Sequence, residues 1–423
     1  MDAGIANHND QKAEPGIIGK CGVKLVHGGK EYFALLIKLI NEATHIIHLQ
    51  TYIFDDDDTG NMVAAALKKA VKRNVIVYVL ADGYASQVMS KKSVQSLIDA
   101  GIYFRFFEPV LKSRYFYFGR RMHHKIFVAD RNIALVGGIN ISDRYNDLPT
   151  HSAWLDFALL VKGDIAAQLA TYCRDMWEIN PSDFTTITSV PASVKTGDLT
   201  SVCDGLSIIM RVNDWVHGKN QISRTYINML RHAESNVTIL SSYFLPGKAI
   251  RKNIAFAIKK GVNIRVITTG ISDVHLVKHA ERWLYGWLLR KGVEIFEYQK
   301  SVLHGKLAVC DDKWMTIGSY NINDISTYAS IELNLDVHQP AFSRQTRLEL
   351  DNIIQKDCIK ITAPGYNYTT NIFEQLIRWI SYRIFRIVFR VFTFYFKRHN
   401  YPPKAHTLFA DNIILDDHTQ RMY

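Results

Sequence analysis

Two histidines and two lysines, set at one interval that occurs twice, are the residues of this chain best suited to chemistry. Residues 123–140 read HHKIFVADRNIALVGGIN, and residues 304–321 read HGKLAVCDDKWMTIGSYN. The first copy supplies His123, Lys125, Asp130, Gly137, Gly138 and Asn140; the second supplies His304, Lys306, Asp311, Gly318, Ser319 and Asn321. Every counterpart lies 181 positions later (304 against 123, 321 against 140), without a gap. An imidazole can attack phosphorus as a nucleophile, or move protons as a general acid and base near neutral pH. One histidine per half predicts a division of labour across a shared cleft. The lysines, Asn140, Asn321, Ser319 and the backbone at Gly138 are donors suited to phosphoryl oxygens and to transition-state charge.

Each copy is followed by an acid on a strand-like run, Asp156 in WLDFALLVKG and Glu332 in SIELNLDV. Two roles are open to them: ordinary surface carboxylates, or acceptors that fix a histidine tautomer. No group of Asp, Glu and His has metal-ligand spacing, so metal-independent phosphoryl transfer without a cofactor is expected. The acidic run DDDDTG at 55–60 lacks the later glutamate of a calcium loop and reads as a solvated turn.

Short strands must present these residues. Side chains alternate along a strand, so His123 and Lys125 share a face, as do His304 and Lys306. The apolar runs 126–129 and 307–310 read as buried strands, with 133–136 and 314–317 as the next ones. Upstream, helices and strands alternate. Helices are predicted at 32–43, 61–74 and 94–101, and strands at 45–54, 75–83 and 102–109. The order repeats in the second half, with helices at 223–235, 249–261 and 282–292 and strands at 236–246, 262–270 and 293–300. This alternation predicts a duplicated α/β protein with mixed, mostly parallel sheets. The expected divisions are a loose leader at 1–20, a first domain at 21–195, a second at 196–365 and a tail at 366–423.

The first half carries ten extra residues before its motif, since Gly101 to His123 spans 22 residues and Gly292 to His304 spans 12. They fall in PVLKSRYFYFGRR, which reads either as a solvated loop or as a rim for anionic head groups. Arg121, two residues from His123, is the expected phosphate contact there.

A chain of 423 residues with 48% hydrophobic and 22% charged content can bury two ordinary cores. The net charge of +11 favours an anionic partner: nucleic acid, acidic lipid or a phosphorylated substrate. Five unpaired-looking cysteines argue against a disulfide framework and for a reducing compartment. No signal peptide or uncharged run of membrane-spanning length is visible. Residues 371–400 instead combine a stripe of Phe385, Phe389, Phe392 and Phe396 with Arg383, Arg386, Arg390 and Lys397. That pattern predicts a basic amphipathic helix lying in a membrane interface.

The paired motifs resemble the signature of the phospholipase D superfamily, the HKD enzymes. TYIFDDDDTG, RMHHK, GGIN with Tyr145, SSYFLP and LHGK through GSYNIN are similar to its bacterial cardiolipin synthase branch. The resemblance implies two tandem phospholipase D-like α/β/α domains about a pseudo-two-fold axis. It implies His123 as a nucleophile forming a phosphohistidine and His304 as the acid and then the base. Lys125, Lys306, Asn140 and Asn321 match phosphate-binding positions. It pairs Glu332 with His123 and Asp156 with His304 across the halves, and gives Asp130 and Asp311 a mainly structural part within the catalytic motif. It further implies condensation of two phosphatidylglycerols on the bacterial cytoplasmic membrane, on its cytoplasmic side, with nucleic acid not expected as a partner. The alternatives are other phosphatidyl transfer, including hydrolysis, and an HKD nuclease. Gly138 and Ser330 depart from the common pattern of Ser and Asn.

Overall fold

The computed structural model describes residues 17–18, 22–108, 121–177, 206–323, 326–327, 330–362 and 371–398; side chains at 17–18, 216 and 388–398 are outside that description. The basic aromatic stretch at 109–120 lies outside the described residues.

The first half runs β1 (Val23–His27), α1 (Lys30–Glu42), β2 (Ile46–Thr51), α2 (Asp58–Lys72), β3 (Ile76–Asp82), α3 (Lys91–Asp99), β4 (Tyr103–Phe107), β5 (Lys125–Ala129), β6 (Ile133–Gly137), β7 (Phe157–Lys162) and α4 (Asp164–Trp177). The second runs β8 (Ser207–Asp214), α5 (Gln221–His232), β9 (Asn236–Ser241), α6 (Lys248–Lys259), β10 (Asn263–Ile271), α7 (His275–Lys291), β11 (Glu294–Val302), β12 (Lys306–Cys310), β13 (Trp314–Gly318), β14 (Ser330–His338), α8 (Pro340–Asp357), β15 (Cys358–Ile361) and α9 (Ile372–Arg398). The sheets have matching orders, β1-β7-β6-β5-β2-β3-β4 and β8-β14-β13-β12-β9-β10-β11. β15 extends the second sheet beyond β11, and Ile17–Ile18 pairs with the open edge of β8, so the leader is not wholly loose. An edge strand offers unpaired amides and carbonyls that such a segment satisfies.

The sheets are mixed, but parallel pairing is the minority, contrary to the expectation. Among the described residues β2/β3 and β3/β4, and their counterparts β9/β10 and β10/β11, run parallel, as does the two-residue pairing of Arg121–Met122 with β14. Parallel neighbours need a crossover, which α2, α3, α6 and α7 provide. The motif strands are instead hairpins. Their turns put two successive residues at positive φ: Asp130 (51°) and Arg131 (54°), and Asp311 (51°) and Asp312 (52°). That backbone makes the tight antiparallel return and tolerates aspartate better than most side chains.

The acidic run is not simply solvated. Asp57 caps α2 by accepting from Gly60 N–H at 2.9 Å, so the helix starts at Asp58, earlier than its apolar periodicity indicates. Asp55 pairs with Arg144 at 3.0 Å, and Asp56 accepts from Ser93 Oγ at 2.7 Å.

Apolar residues from both halves form one shared core. It combines Ile126, Val128, Leu159 and Val161 with Leu307, Val309, Leu333 and Leu335, and adds Leu169 of α4 and Leu350 of α8. Separate cores lie under α1–α3 and under α5–α7. Burial on this scale, at about 25 cal/mol per Å² of apolar surface, fixes the halves against each other and so fixes the seam where the motifs meet.

Helix α9 packs along α7. Its solvent face differs from the predicted one: Phe385 turns inward onto the second-half core, while Phe389, Phe392 and Phe396 lie outside the described side chains. The exposed stripe is Phe373, Leu376, Ile377, Ile380, Ile384 and Ile387, and α7 adds Leu276 and Trp283. Packing on a neighbour selects one apolar face for the core and leaves a second apolar face outside, which helical periodicity alone cannot choose between. Among the described residues no helix is long and apolar enough to cross a membrane.

Candidate active site

Each motif histidine sits immediately before its strand and is tied by backbone to the opposite half. Arg121–Met122 pairs parallel with Ser330–Ile331 of β14, and His123 N–H donates to Ile331 O at 2.9 Å. Reciprocally, His304 N–H donates to Leu155 O at 2.7 Å and Leu155 N–H to Val302 O at 2.8 Å. The residue before each histidine is fixed from its own half: Met122 N–H donates to Asp82 Oδ2 at 2.9 Å, and Leu303 N–H to Thr269 Oγ1 at 3.2 Å.

The two acids cross over. His123 Nδ1–H donates to Glu332 Oε2 at 3.0 Å, and His304 Nδ1–H donates to Asp156 Oδ2 at 2.7 Å. Glu332 and Asp156 are buried, so they are not surface carboxylates. The motifs interlock further. Ser319 of copy two donates to Glu332, the acid behind the histidine of copy one. Gly138 of copy one lies against Asp156, the acid behind the histidine of copy two. Donation from Nδ1 fixes the tautomer and leaves each Nε2 lone pair available.

Burial sets the charge states. It lowers His123, helped by Lys125 and Lys306 and opposed by Glu332. Burial takes His304 down to about 3, reinforced by the Lys306 ammonium 3.0 Å from its Nδ1, against the pull of Asp156. For both acids, burial would raise the pKa, but the histidines and neighbouring lysines outweigh it and hold the carboxylates below their usual range. Burial and the facing Lys306 bring Lys125 down to about 7, and burial brings Lys306 to about 8. Each ammonium also donates to the carbonyl of its own motif histidine. Two neutral imidazoles, two confined cations and two ionised acids at one seam form a site suited to in-line displacement at a phosphodiester.

The asparagines hold the walls. Asn140 accepts from Ile53 N–H at 3.1 Å and donates to Tyr145 Oη at 2.8 Å, while Ser242 Oγ donates to Asn321 Oδ1 at 2.6 Å. Tyr145 stands edge-on to His304, with ring centroids 5.1 Å apart, and Tyr52 stands edge-on to His123 at 4.7 Å.

Three expected members are elsewhere. Asp130 lies at the far end of β5, accepting from Thr44 N–H (2.8 Å) and Oγ1 (2.9 Å), His45 N–H (2.8 Å) and Ile46 N–H (3.0 Å). Asp311 repeats this at Glu234, Ser235 and Asn236. These aspartates fasten the motif hairpin to the start of β2 or β9 and do not join the cluster. A positive-φ turn residue at the strand's distal end cannot also reach its proximal end. Arg121 is held 3.7 Å from Asp82, donates to Glu108 O and lies over the Tyr84 ring, rather than joining the histidines. His124, adjacent to His123, is fully buried against Gln50. Sequence reasoning missed Tyr52, Asp82 and Trp154, whose ring centroid lies 6.0 Å from that of His304. No spacing marks them, although Asp82 at the end of a strand before a glycine was a usable signal.

A family model described as "Cardiolipin synthase, PLD-like domain" matches residues 36–177 and 226–354. Cardiolipin synthase B of Salmonella typhi is 32% identical over 363 residues, covering 81% of this chain and 84% of that protein. Cardiolipin synthase B of Escherichia coli is 32% identical over 354 residues, covering 80% and 82%. The crystal structure of a phosphatidylserine synthase from Haemophilus influenzae aligns with a TM-score of 0.67 at 14% identity, over 88% of this chain and 94% of that one, which bears on the fold alone.

Proposed function

The chain belongs to the cardiolipin synthase family of phospholipase D-like phosphatidyltransferases, and from that premise we propose that it joins two phosphatidylglycerols into cardiolipin and glycerol. His123 Nε2 attacks the phosphorus of the first lipid. The P–O bond to glycerol breaks, and His304, neutral at rest but taking a proton on Nε2 when the anionic phosphodiester enters beside it, gives that proton to the departing alkoxide. A phosphatidyl group is then bonded to His123. The glycerol hydroxyl of a second phosphatidylglycerol passes its proton to His304 and attacks phosphorus, and the P–N bond breaks to regenerate His123. Lys125 and Lys306 hold the non-bridging oxygens throughout. Glu332 and Asp156 steady the imidazolium forms. The observation carrying this reading is the crossed pairing of each motif histidine with the other half's acid.

Access to lipid fits a peripheral position on the cytoplasmic face of a bacterial membrane. The exposed stripe of α9 is flanked by Arg383 and Arg386, which suits an anionic interface. Lipid mass spectrometry after incubation of the purified protein with phosphatidylglycerol tests the reading. Cardiolipin is expected from the wild type and not from His123→Ala. Phosphatidic acid alone would mean hydrolysis, and equal cardiolipin from His123→Ala would reject the mechanism.

A further inference from the structure

The two imidazole–carboxylate pairs are built unequally, and the inequality lies in what else each carboxylate binds. Glu332 takes the His123 proton on Oε2 and two hydroxyl protons besides: Ser319 Oγ–H on the same oxygen, and Ser330 Oγ–H on Oε1 at 2.8 Å. Asp156 takes the His304 proton on Oδ2 and, at Oδ1, a backbone amide, Phe157 N–H at 2.7 Å. Gly138, standing where copy two has Ser319, offers no hydroxyl. Ser330 is 5% exposed and Glu332 0%, so water does not readily replace a lost bond. Ser330 is also the residue whose backbone pairs with Arg121, at the strand that delivers His123.

Hydrogen bonds to an ionised carboxylate stabilise it and weaken its hold on a further proton. We infer that Ser330 is a positioning residue for phosphoryl transfer: with Ser319 it saturates Glu332, so that Glu332 orients His123 without drawing it into the imidazolium form, and the attacking Nε2 stays unprotonated. This rests on the reading of His123 as nucleophile. The other charged or titratable groups facing His123 are Lys125 on β5 and Lys306 on β12, which also disfavour the imidazolium, and Tyr52 beside its ring. Ser330 therefore acts with the lysines. Its loss strengthens Glu332 as the single opposing influence.

The test is the pH dependence of kcat/KM for phosphatidyl transfer by wild type, Ser330→Ala, Ser330→Thr and Ser330→Cys. In Ser330→Ala the acid limb should move up by about 0.5–1 pH unit, roughly half of the ~1–2 units that one bond to a charged acceptor is worth, since His123 feels the change only through Glu332. Activity above pH 8 should stay within about threefold of wild type, since His123 is neutral there in both. Threonine should restore the wild-type limb, and cysteine, a weak donor, should fall between. A uniform loss at every pH, or an unmoved limb, would overturn the inference. Should the alanine variant not fold, the threonine-to-cysteine difference makes the same decision. Absence of a phosphatidyl adduct on wild-type His123 would instead overturn the underlying reading, so the two failures are distinct.

Discussion

Replacing Gly138 with serine gives copy one the residue that copy two carries, and a motif-based view expects this to be harmless. The geometry predicts the opposite. A Cβ at Gly138 would stand 2.7 Å from Asp156 Oδ2 and 2.9 Å from its Cγ, where ordinary contact begins near 3.4 Å. Asp156 cannot yield cheaply. It is 1% exposed, its Oδ1 is fixed by Phe157 N–H at 2.7 Å, and its Oδ2 holds His304 at 2.7 Å. Relief of the overlap must break one of these bonds. Overpacking a buried site costs about 1–3 kcal/mol, and loss of a positioned general acid–base costs about 10²–10⁴ in rate. Gly138→Ser should therefore lower kcat for transfer at least about 100-fold in protein that still melts cooperatively. In the second half serine fits because its acid is glutamate, one methylene longer. Gly138→Ser combined with Asp156→Glu rebuilds that arrangement and should recover at least about tenfold over the single variant, a coupling expected of residues in contact. Radiolabelled phosphatidylglycerol turnover in detergent micelles, with thermal melts alongside, measures both. Wild-type kcat in folded Gly138→Ser, or no recovery in the double variant, would refute the reasoning.

Other outcomes follow from the same geometry. Asp130→Ala loses four hydrogen bonds to one carboxylate; it should destabilise the fold by on the order of 3 kcal/mol, seen as a lower Tm, while activity per folded molecule changes little. Raising the pH discharges Lys125 near 7 and Lys306 near 8, so kcat/KM should fall across pH 7–8. A bound phosphodiester anion favours the charged ammoniums, so kcat should fall at higher pH than kcat/KM does. Serine at Leu376, Ile380, Ile384 and Ile387 should cut flotation with anionic liposomes by on the order of 100-fold, from lost apolar burial. Turnover of a water-soluble short-chain substrate should survive those changes.

The motif strands, both histidines and their lysines were legible because duplication at constant spacing is a signal that one sequence carries within itself. The alternation of helix and strand was legible from periodicity, down to the crossovers that make β2, β3 and β4 parallel. Antiparallel pairing of the motif strands was legible too, since the few residues between Ala129 and Ile133 cannot make the crossover that parallel strands need. The overall balance of parallel and antiparallel pairs was not, because helix–strand alternation upstream says nothing of the strands that follow it. The α9 face was misjudged for a related reason. Phe385 and Ile384 are neighbours in sequence, and only the packing of α7 decides which of them meets solvent. The aromatic walls, Tyr52 and Trp154, come from segments with no spacing of their own. Tertiary contact alone brings them to the histidines.

The most direct test of the account is the covalent state of His123 during turnover. Wild-type protein mixed with phosphatidylglycerol, quenched within milliseconds in alkaline denaturant and digested, should yield the peptide containing His123 with the mass of one added phosphatidyl group. A turning-over enzyme that carries the adduct on His304, or on neither histidine, would contradict it.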